Sequence, residues 1–179
     1  MSSVQLKKQI LCALFATLTS IFSQILLPLP FTPVPINLAT LAIFLSAGLL
    51  EVKYSVLSQI LYLILGFIGL PVFAQFTSGP SILLGPTGGY LIGYVLIALI
   101  CSFLIQQRKK QTAVALPLPV IFMIGIFFCY TAGTLWYMYS THTQLLPSLF
   151  LCVFPFLPGD ILKIITATIL VKKLDRISI

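Results

Sequence analysis

Charged residues are scarce in this sequence. Only 7% of its 179 residues are Asp, Glu, Lys or Arg, and 59% are hydrophobic. The mean hydropathy is +1.13. Soluble domains carry roughly 25% charged residues. The scarcity of charge therefore excludes an ordinary soluble fold and predicts an integral membrane protein that lies in a lipid bilayer.

Residues suited to catalysis are equally few. The chain has three acidic residues and one histidine. His142 lies in a polar loop, and Asp160 is the one acid inside a long apolar segment. Acid–base chemistry needs such groups beside a nucleophile. The phosphate-binding pattern G-x-x-x-x-G-K-[ST], by which a chain could hydrolyse ATP, is missing. We therefore predict that the chain is not an enzyme.

The four cysteines show no metal-binding or redox spacing. They lie in apolar segments, without a C-x-x-C pair and without partner histidines, at positions Cys12, Cys101, Cys129 and Cys152. Such cysteines are typical of small buried apolar side chains. We expect no metal site and no cofactor.

Lysine and arginine give a formal net charge of +7, but they do not form a basic patch interleaved with aromatic residues. They stand in short clusters between apolar runs, as at the flanks of membrane spans. No nucleic-acid partner is predicted.

Six apolar segments are separated by Pro, Gly and charged residues. About 20 apolar residues are needed for a helix to span a bilayer, fewer where the helix is buried in protein. The segments are residues 9–27, 36–50, 54–70, 90–105, 117–139 and 149–171. We predict an all-α integral membrane fold, a six-transmembrane-helix bundle that forms a single domain over residues 1–179.

The cations fall on one side of this predicted bundle. The two termini and the connections after the second and fourth segments carry nine of the ten Lys and Arg residues. Cytoplasmic loops of membrane proteins are enriched in Lys and Arg. We therefore expect both termini in the cytoplasm.

Residues 71–89 form an uncharged connection rich in Gly and Pro. Irregular backbone at membrane depth is tolerated where it is buried in protein or lines a cavity. We predict an apolar outer loop over a pocket. A simple turn that allows close helix packing is the alternative.

Asp160 and Lys163 stand three residues apart in an otherwise uncharged segment. In a helix they share a face, and Pro158 and Gly159 favour a helix start, where the dipole stabilises an anion. Lys172 lies twelve residues on, about 18 Å along a helix, so the pair would lie in the outer half of the membrane. Intramembrane charges usually mark a functional site. A self-satisfied pair that tethers the helix start is the alternative.

An acid and a base in an apolar pocket suit a small ligand with an anionic end. The lysine can hold a carboxylate, and the aspartate can accept hydrogen bonds from N–H groups.

The first segment carries small residues at spacings of three and four, namely Ala13, Ala16, Thr17 and Ser20. Small residues let helices approach closely in lipid. The spacing is equally compatible with packing inside the chain's own bundle.

Four motifs follow one another along nearly the whole chain. They are TPVPINLATL at 32–41, GLPVFA at 69–74, LGPTGGYLIG at 84–93 and LPGDILK at 157–163. Together they resemble the BioY family, the biotin-binding S components of energy-coupling factor (ECF) transporters. The resemblance implies a six-helix protein of the bacterial cytoplasmic membrane that captures biotin from outside. It also implies partners, namely a transmembrane coupling subunit and two ATPases that use ATP.

The resemblance also implies roles for particular residues. Asp160 and Lys163 would contact biotin, and further polar contacts are expected from Asn37, Gln75, Ser78, Thr87 and Tyr90. The docking surface for the coupling subunit would comprise Ala13, Ala16 and Ser20.

The chain departs from the family pattern at residues 37–40, which read N-L-A-T where many members read T-x-Q-T. It also lacks Lys and Arg between Lys53 and Arg108, so Lys163 is expected to hold the carboxylate alone. A self-sufficient ion-coupled carrier of biotin or another small carboxylate, with Asp160 as its proton or substrate site, is the alternative function.

Overall fold

Helices dominate the computed structural model, which describes residues 3–27, 30, 35–110 and 116–175. Within these ranges the helices are α1 (Ser3–Gln24), α2 (Ala39–Leu49), α3 (Val52–Phe67), α4 (Pro80–Leu84), α5 (Gly88–Lys109), α6 (Leu118–Thr141), α7 (Leu145–Cys152) and α8 (Leu157–Asp175). Short 3-10 turns cover Ala74–Phe76 and Phe154–Phe156. Each predicted apolar segment overlaps one of the longer helices, and their ends differ by several residues.

Four described stretches are long and apolar enough to cross a membrane. They are Val4–Gln24, Gly88–Lys109, Leu118–Thr141 and Leu145–Leu174. Large apolar side chains are exposed on their outer faces, for example Leu14, Phe103, Phe127 and Ile169. Exposed apolar side chains in such numbers are what a lipid-facing surface requires. The prediction of a helical membrane protein is confirmed.

The shorter α2 and α3 have 11 and 16 residues. Most of α2 is buried among the other helices, including Ile43 and Phe44. The ring centroids of Phe44 and of Phe122 in α6 are 4.6 Å apart. A helix enclosed by protein does not need the length of a lipid-exposed span, because its neighbours supply the apolar surroundings.

The end of α1 differs from the prediction. The helix stops at Gln24, and Leu26–Leu27 (β1) pairs antiparallel with Ile36–Asn37 (β2). The amide of Leu38 donates to the carbonyls of Phe22 and Ile25, both at 3.2 Å. These bonds fix the start of α2 beside the end of α1. The Pro-rich connection between the first two apolar segments spans residues 28–35, and most of it lies outside the described residues.

Helices α5 and α6 pack at close range because glycine and cysteine face each other. A Cβ on Gly93 would lie 2.6 Å from Cys129 Sγ, and one on Gly125 would lie 2.3 Å from Cys101 Sγ. All four cysteines are buried. They are the small buried side chains that the sequence predicts.

The last apolar segment is divided into α7, a 3-10 turn and α8. The break lies at Phe154–Phe156, and α8 begins at Leu157. Pro158 fits the first turn because the amides there have no partner within the helix. Asp160 lies in this first turn, as predicted.

One end of the bundle gathers the clustered cations. Lys8 Nζ lies 2.6 Å from Glu51 Oε1 between α2 and α3. Glu51, Gly48 and Lys109 line one small cavity. A Cβ on Gly48 would lie 2.5 Å from Val171, which precedes Lys172. The start of α1 and the ends of α2, α5 and α8 therefore meet at the same end.

Candidate functional site

A cavity of about 260 Å³ lies near the start of α8, among α2, α5, α6 and the loop after α3. The segment from residue 71 to the start of α5 is not all loop, because it contains the short helix α4. It contributes Phe73, Gln75 and Thr77 to the wall. The prediction that this segment borders a pocket is confirmed. The apolar part of the lining includes Ile82, Leu91, Ile97, Ile126 and Phe156.

Asp160 and Lys163 are brought together at this wall. Lys163 Nζ lies 2.6 Å from Asp160 Oδ1, and the two residues are 7% and 6% exposed. Buried charges are stable where they are paired and hydrogen-bonded. The pair forms the charged part of an otherwise largely apolar cavity.

The ammonium group of Lys163 has an acceptor for each of its N–H donors. Besides Asp160, it donates to the backbone carbonyl of Asn37 at 3.0 Å and to Thr40 Oγ1 at 2.9 Å. Both acceptors belong to the stretch 37–40, where the sequence departs from the family pattern. This stretch is therefore a polar wall of the site, and it includes Thr40, which was not among the predicted site residues.

Asp160 is held on its other side by Tyr130 of α6, whose hydroxyl donates to Oδ2. Tyr130 is also packed edge-on against Tyr90, with ring centroids 6.5 Å apart. Tyr130 was not among the predicted site residues. The sequence feature that could have indicated Tyr130 is a phenol in the middle of an apolar span, where a hydroxyl needs a hydrogen-bond partner within the protein.

Seven residues were predicted to contact the ligand, and all lie in the described part of the chain. Six of them line the cavity, namely Asn37, Gln75, Thr87, Tyr90, Asp160 and Lys163. Ser78 does not line it, whereas its neighbour Thr77 does. The loop turns sharply at Ala74–Phe76, so the direction of each side chain could not be read from the sequence.

The predicted wall residues are held by bonds to neighbouring helices. Asn37 Oδ1 accepts from the amide of Ala39 at 3.1 Å and from Tyr94 Oη at 3.5 Å. Tyr90 Oη lies 3.2 Å from Thr134 Oγ1. These contacts orient Asn37 and Tyr90 at the cavity, and they add Tyr94 to the wall.

The glycines before and at the start of α5 serve close packing. A Cβ on Gly88 would lie 1.8 Å from the carbonyl oxygen of Leu83, and one on Gly89 would lie 2.3 Å from Trp136 Cβ. Trp136 Nε1 donates to the carbonyl of Gly85 at 2.9 Å. These glycines therefore fit the alternative of a turn that allows close helix packing. Thr87, which lies between Gly85 and Gly88, reaches the cavity.

Ala16, which belongs to the predicted docking surface on α1, is only 2% exposed. It is therefore buried within the chain, and α1 packs against α2 and α3. Ala13 and Thr17 are exposed, and Ser20 is half-buried. The small residues therefore divide between two faces, and the outer face consists of Ala13 and Thr17 with Ser20 at its edge.

No group of three or more His, Cys, Asp or Glu side chains that could hold a metal ion occurs among the described residues.

Comparisons with known proteins agree with this architecture. The profile of the BioY family matches residues 1–178. The chain is 35% identical to the biotin transporter BioY2 of Lactococcus lactis, over 94% of this chain and 90% of that one. It is 33% identical to the biotin transporter BioY of Thermotoga maritima, over 84% and 86% of the two chains.

A solved structure shares the fold. The crystal structure of the S-component for biotin from an ECF-type ABC transporter is similar, with a TM-score of 0.87 and 30% sequence identity. The match covers 98% of this chain and 95% of that one. The family profile, the relatives and the shared fold together show that this chain belongs to the BioY family.

Proposed function

We propose that this chain captures biotin as the substrate-binding S component of an ECF-type transporter and that it is not an enzyme. The observation that carries the proposal is the buried Asp160–Lys163 pair at the wall of an otherwise largely apolar cavity. Relatives that are biotin transporters, and a similar S component for biotin, support the choice of ligand.

The site offers a cation and an anion that complement the carboxylate and the ureido group of biotin, and the two groups, 2.6 Å apart in the structure, would separate to reach both. Lys163 would hold the valerate carboxylate, and Asp160 would accept hydrogen bonds from the ureido N–H groups. The apolar walls would bury the carbon chain and the thioether ring. Asn37, Gln75, Thr87 and Tyr90 line the same cavity and would supply further polar contacts. Ser78 would reach the ligand only if the loop moves.

The chain would cross the bacterial cytoplasmic membrane six times as one domain, with both termini in the cytoplasm. The convergence of the clustered cations at one end of the bundle supports this orientation. Asp160 would then lie toward the outer surface, because α8 runs from the cavity to Lys172 at the cationic end. The cavity would take up biotin from outside the cell.

Energy would come from partner proteins, namely a transmembrane coupling subunit and two ATPases. The outer face of α1, with Ala13, Thr17 and Ser20, would contact the coupling subunit. Small residues support such a contact because they let helix backbones approach closely in lipid.

Titration calorimetry of the purified chain with biotin and with biotin methyl ester tests the site. In Lys163→Met, we expect biotin affinity to fall at least about tenfold, because a charge-assisted bond to the carboxylate is lost. The methyl ester lacks the anionic charge, so its affinity should change much less. Equal losses for the two ligands would contradict the assignment of Lys163 to the carboxylate.

Uptake separates an S component from a self-sufficient carrier. In proteoliposomes that contain this chain alone, we expect no accumulation of biotin, with or without a proton gradient. Addition of the coupling subunit and the ATPases should make accumulation depend on ATP. Accumulation driven by a proton gradient in the chain alone would support the carrier instead.

A further inference from the structure

Gln24, at the end of α1, is bonded to the loop that borders the cavity. Its Nε2 donates to the carbonyls of Val72 at 3.1 Å and Phe73 at 2.8 Å. Its Oε1 accepts from the amide of Phe76 at 2.9 Å. The hydroxyl of Ser23 also lies 2.6 Å from the carbonyl of Val72. The nitrogen and the oxygen of one side-chain amide therefore both bind the backbone of residues 72–76, called here the clamp loop.

The clamp loop has an unfavourable backbone conformation. Gln75 and Phe76 are consecutive non-glycine residues with φ of 60° and 55°. Side chains with a Cβ seldom adopt this left-handed region, and they remain there only where surrounding contacts enforce it. Phe76 is 71% exposed, so packing of its side chain contributes little to holding it. The backbone bonds from Gln24 are placed to supply that constraint.

The clamp loop shapes the cavity. Phe73, Ala74 and Gln75 line it. The ring of Phe73 is 1% exposed, packs edge-on against Tyr62 with ring centroids 5.5 Å apart, and leaves no room for a Cβ on Gly66. A change in the loop backbone would therefore withdraw these three side chains from the wall.

The contact of α1 with α3 is incompletely hydrogen-bonded. Gln59 of α3 is fully buried, and its Nε2 reaches Thr19 Oγ1 of α1 only at 3.4 Å. Its Oε1 has no hydrogen-bond partner among the described residues. A buried unsatisfied acceptor raises the free energy of this arrangement. The position of α1 on α3 is thus less firmly fixed than a fully paired interface would be.

We infer that Gln24 is a positioning residue, which holds the clamp loop in its left-handed turn against the cavity and so links the position of α1 to retention of the ligand. The inference rests on the proposed function, because α1 carries the small outer face that would meet the coupling subunit. A displacement of α1 would remove the constraint on the clamp loop, and the loop would relax away from the cavity.

The rate of biotin dissociation from the purified full-length chain tests this inference. Gln24→Ala removes the bonds to the carbonyls and to the Phe76 amide, so we expect dissociation about tenfold faster. Gln9→Ala is the matched control. Gln9 is exposed on the same helix, fifteen residues or about 22 Å from Gln24 along its axis, and its replacement should leave the rate unchanged.

A rescue variant separates positioning from general damage. Glycine adopts the left-handed region without steric cost, so Phe76→Gly should restore slow dissociation to the Gln24→Ala protein. A protein weakened only in its packing would not be rescued by glycine at an exposed position. Failure of this rescue, or an unchanged rate in Gln24→Ala, would overturn the inference.

Hydrogen–deuterium exchange of residues 72–77 gives a readout that does not depend on biotin. The Phe76 amide, bonded to Gln24 Oε1, should exchange several-fold faster in Gln24→Ala and at the normal rate in Gln9→Ala. If the unaltered chain fails to bind biotin while this exchange pattern appears, the proposed ligand is wrong and the clamp stands. Unchanged exchange in Gln24→Ala refutes the clamp whatever the ligand.

Discussion

At the scale of single residues, the ammonium group of Lys163 has already committed its N–H donors to Asn37, Thr40 and Asp160. A substrate carboxylate can bind there only by joining or replacing one of these acceptors. Capture of the ligand is therefore an exchange of hydrogen bonds between buried groups. This exchange accounts for a pair that satisfies itself in the structure and still lies at the wall of a cavity.

The pair predicts different effects on stability and on binding. Lys163→Met leaves the Asp160 carboxylate buried beside Tyr130 without its cation, so we expect the free energy of unfolding to fall by about 3–5 kcal/mol. Asp160→Asn combined with Lys163→Met removes both charges and should recover most of this loss. Thermal or denaturant unfolding of the detergent-solubilised chains measures both effects.

Biotin binding by the double variant decides whether the Asp160–Lys163 pair binds the ligand or only tethers the start of α8. If the pair serves the ligand, the double variant should be stable yet lack biotin binding. A double variant that binds biotin as well as the unaltered chain would show that the pair only tethers the start of α8.

At the scale of helices, the sequence predicts the longer segments well, because apolar runs bounded by Pro, Gly and charge leave little choice in a membrane. It also predicts Asp160 in a first helical turn, since Pro158 and Gly159 disfavour a helix interior. The end of α1 was not predictable in the same way. Leu26 and Leu27 are as apolar as the helix before them, and their pairing with residues 36–37 is a long-range contact.

The site was predictable only in part for a related reason. Residues of one motif, such as Asp160 and Lys163, are neighbours on one helix and can be placed from spacing alone. Tyr130 lies 30 residues from Asp160 along the chain, and its bond depends on how α6 packs near α8. The burial of Ala16 likewise depends on which side of α1 meets α2 and α3, and small residues occur on both sides.

The glycine contact between α5 and α6 predicts a specific loss of stability. In Gly93→Ala the new Cβ would lie 2.6 Å from Cys129 Sγ and 3.2 Å from Cys129 Cα, so the helices must separate. We expect the free energy of unfolding to fall by about 1–3 kcal/mol. Unfolding of the purified chain in detergent is the measurement.

Gly159→Ala is the matched control, since Gly159 is also helical and its Cβ would meet Ile36 Cγ2 at an ordinary 3.5 Å. Alanine favours the helix by up to about 1 kcal/mol, so this variant should be neutral or slightly more stable. Equal losses in the two variants would mean that close packing of α5 on α6 does not explain the effect at Gly93.

At the scale of the whole molecule, the clustered cations and the cavity lie toward opposite ends of the bundle. The clustered cations meet where Lys8, Glu51 and Lys109 come together. The cavity lies at the start of α8, about 18 Å from Lys172 along the helix. In the proposed orientation, ligand would be captured near the outer surface and released by a movement that partners drive. The exposed surface of α1 is where such a partner would act.

A substitution on the outer face of α1 should impair assembly with the coupling subunit without affecting biotin binding. Thr17 is exposed, and its hydroxyl donates to the Ala13 carbonyl at 3.0 Å within the helix. Thr17→Leu adds bulk to this face and should block close approach of the coupling subunit. We expect at least about tenfold less complex recovered with the coupling subunit and the ATPases, which corresponds to about 1.4 kcal/mol. Biotin affinity of the isolated chain should be unchanged, because Thr17 does not line the described cavity.

Thr166→Leu controls for the addition of a bulky residue to a lipid-facing helix. Thr166 is likewise exposed, on α8, and its hydroxyl donates to the Leu162 carbonyl at 2.8 Å. The two threonines are both exposed and make the same local hydrogen bond. The comparison therefore isolates the helix face on which each residue lies. Loss of assembly in Thr17→Leu alone would locate the coupling subunit on α1. Equal recovery of complex with both variants would show that the partner binds elsewhere, and loss with both would show that the effect is not specific to the α1 face.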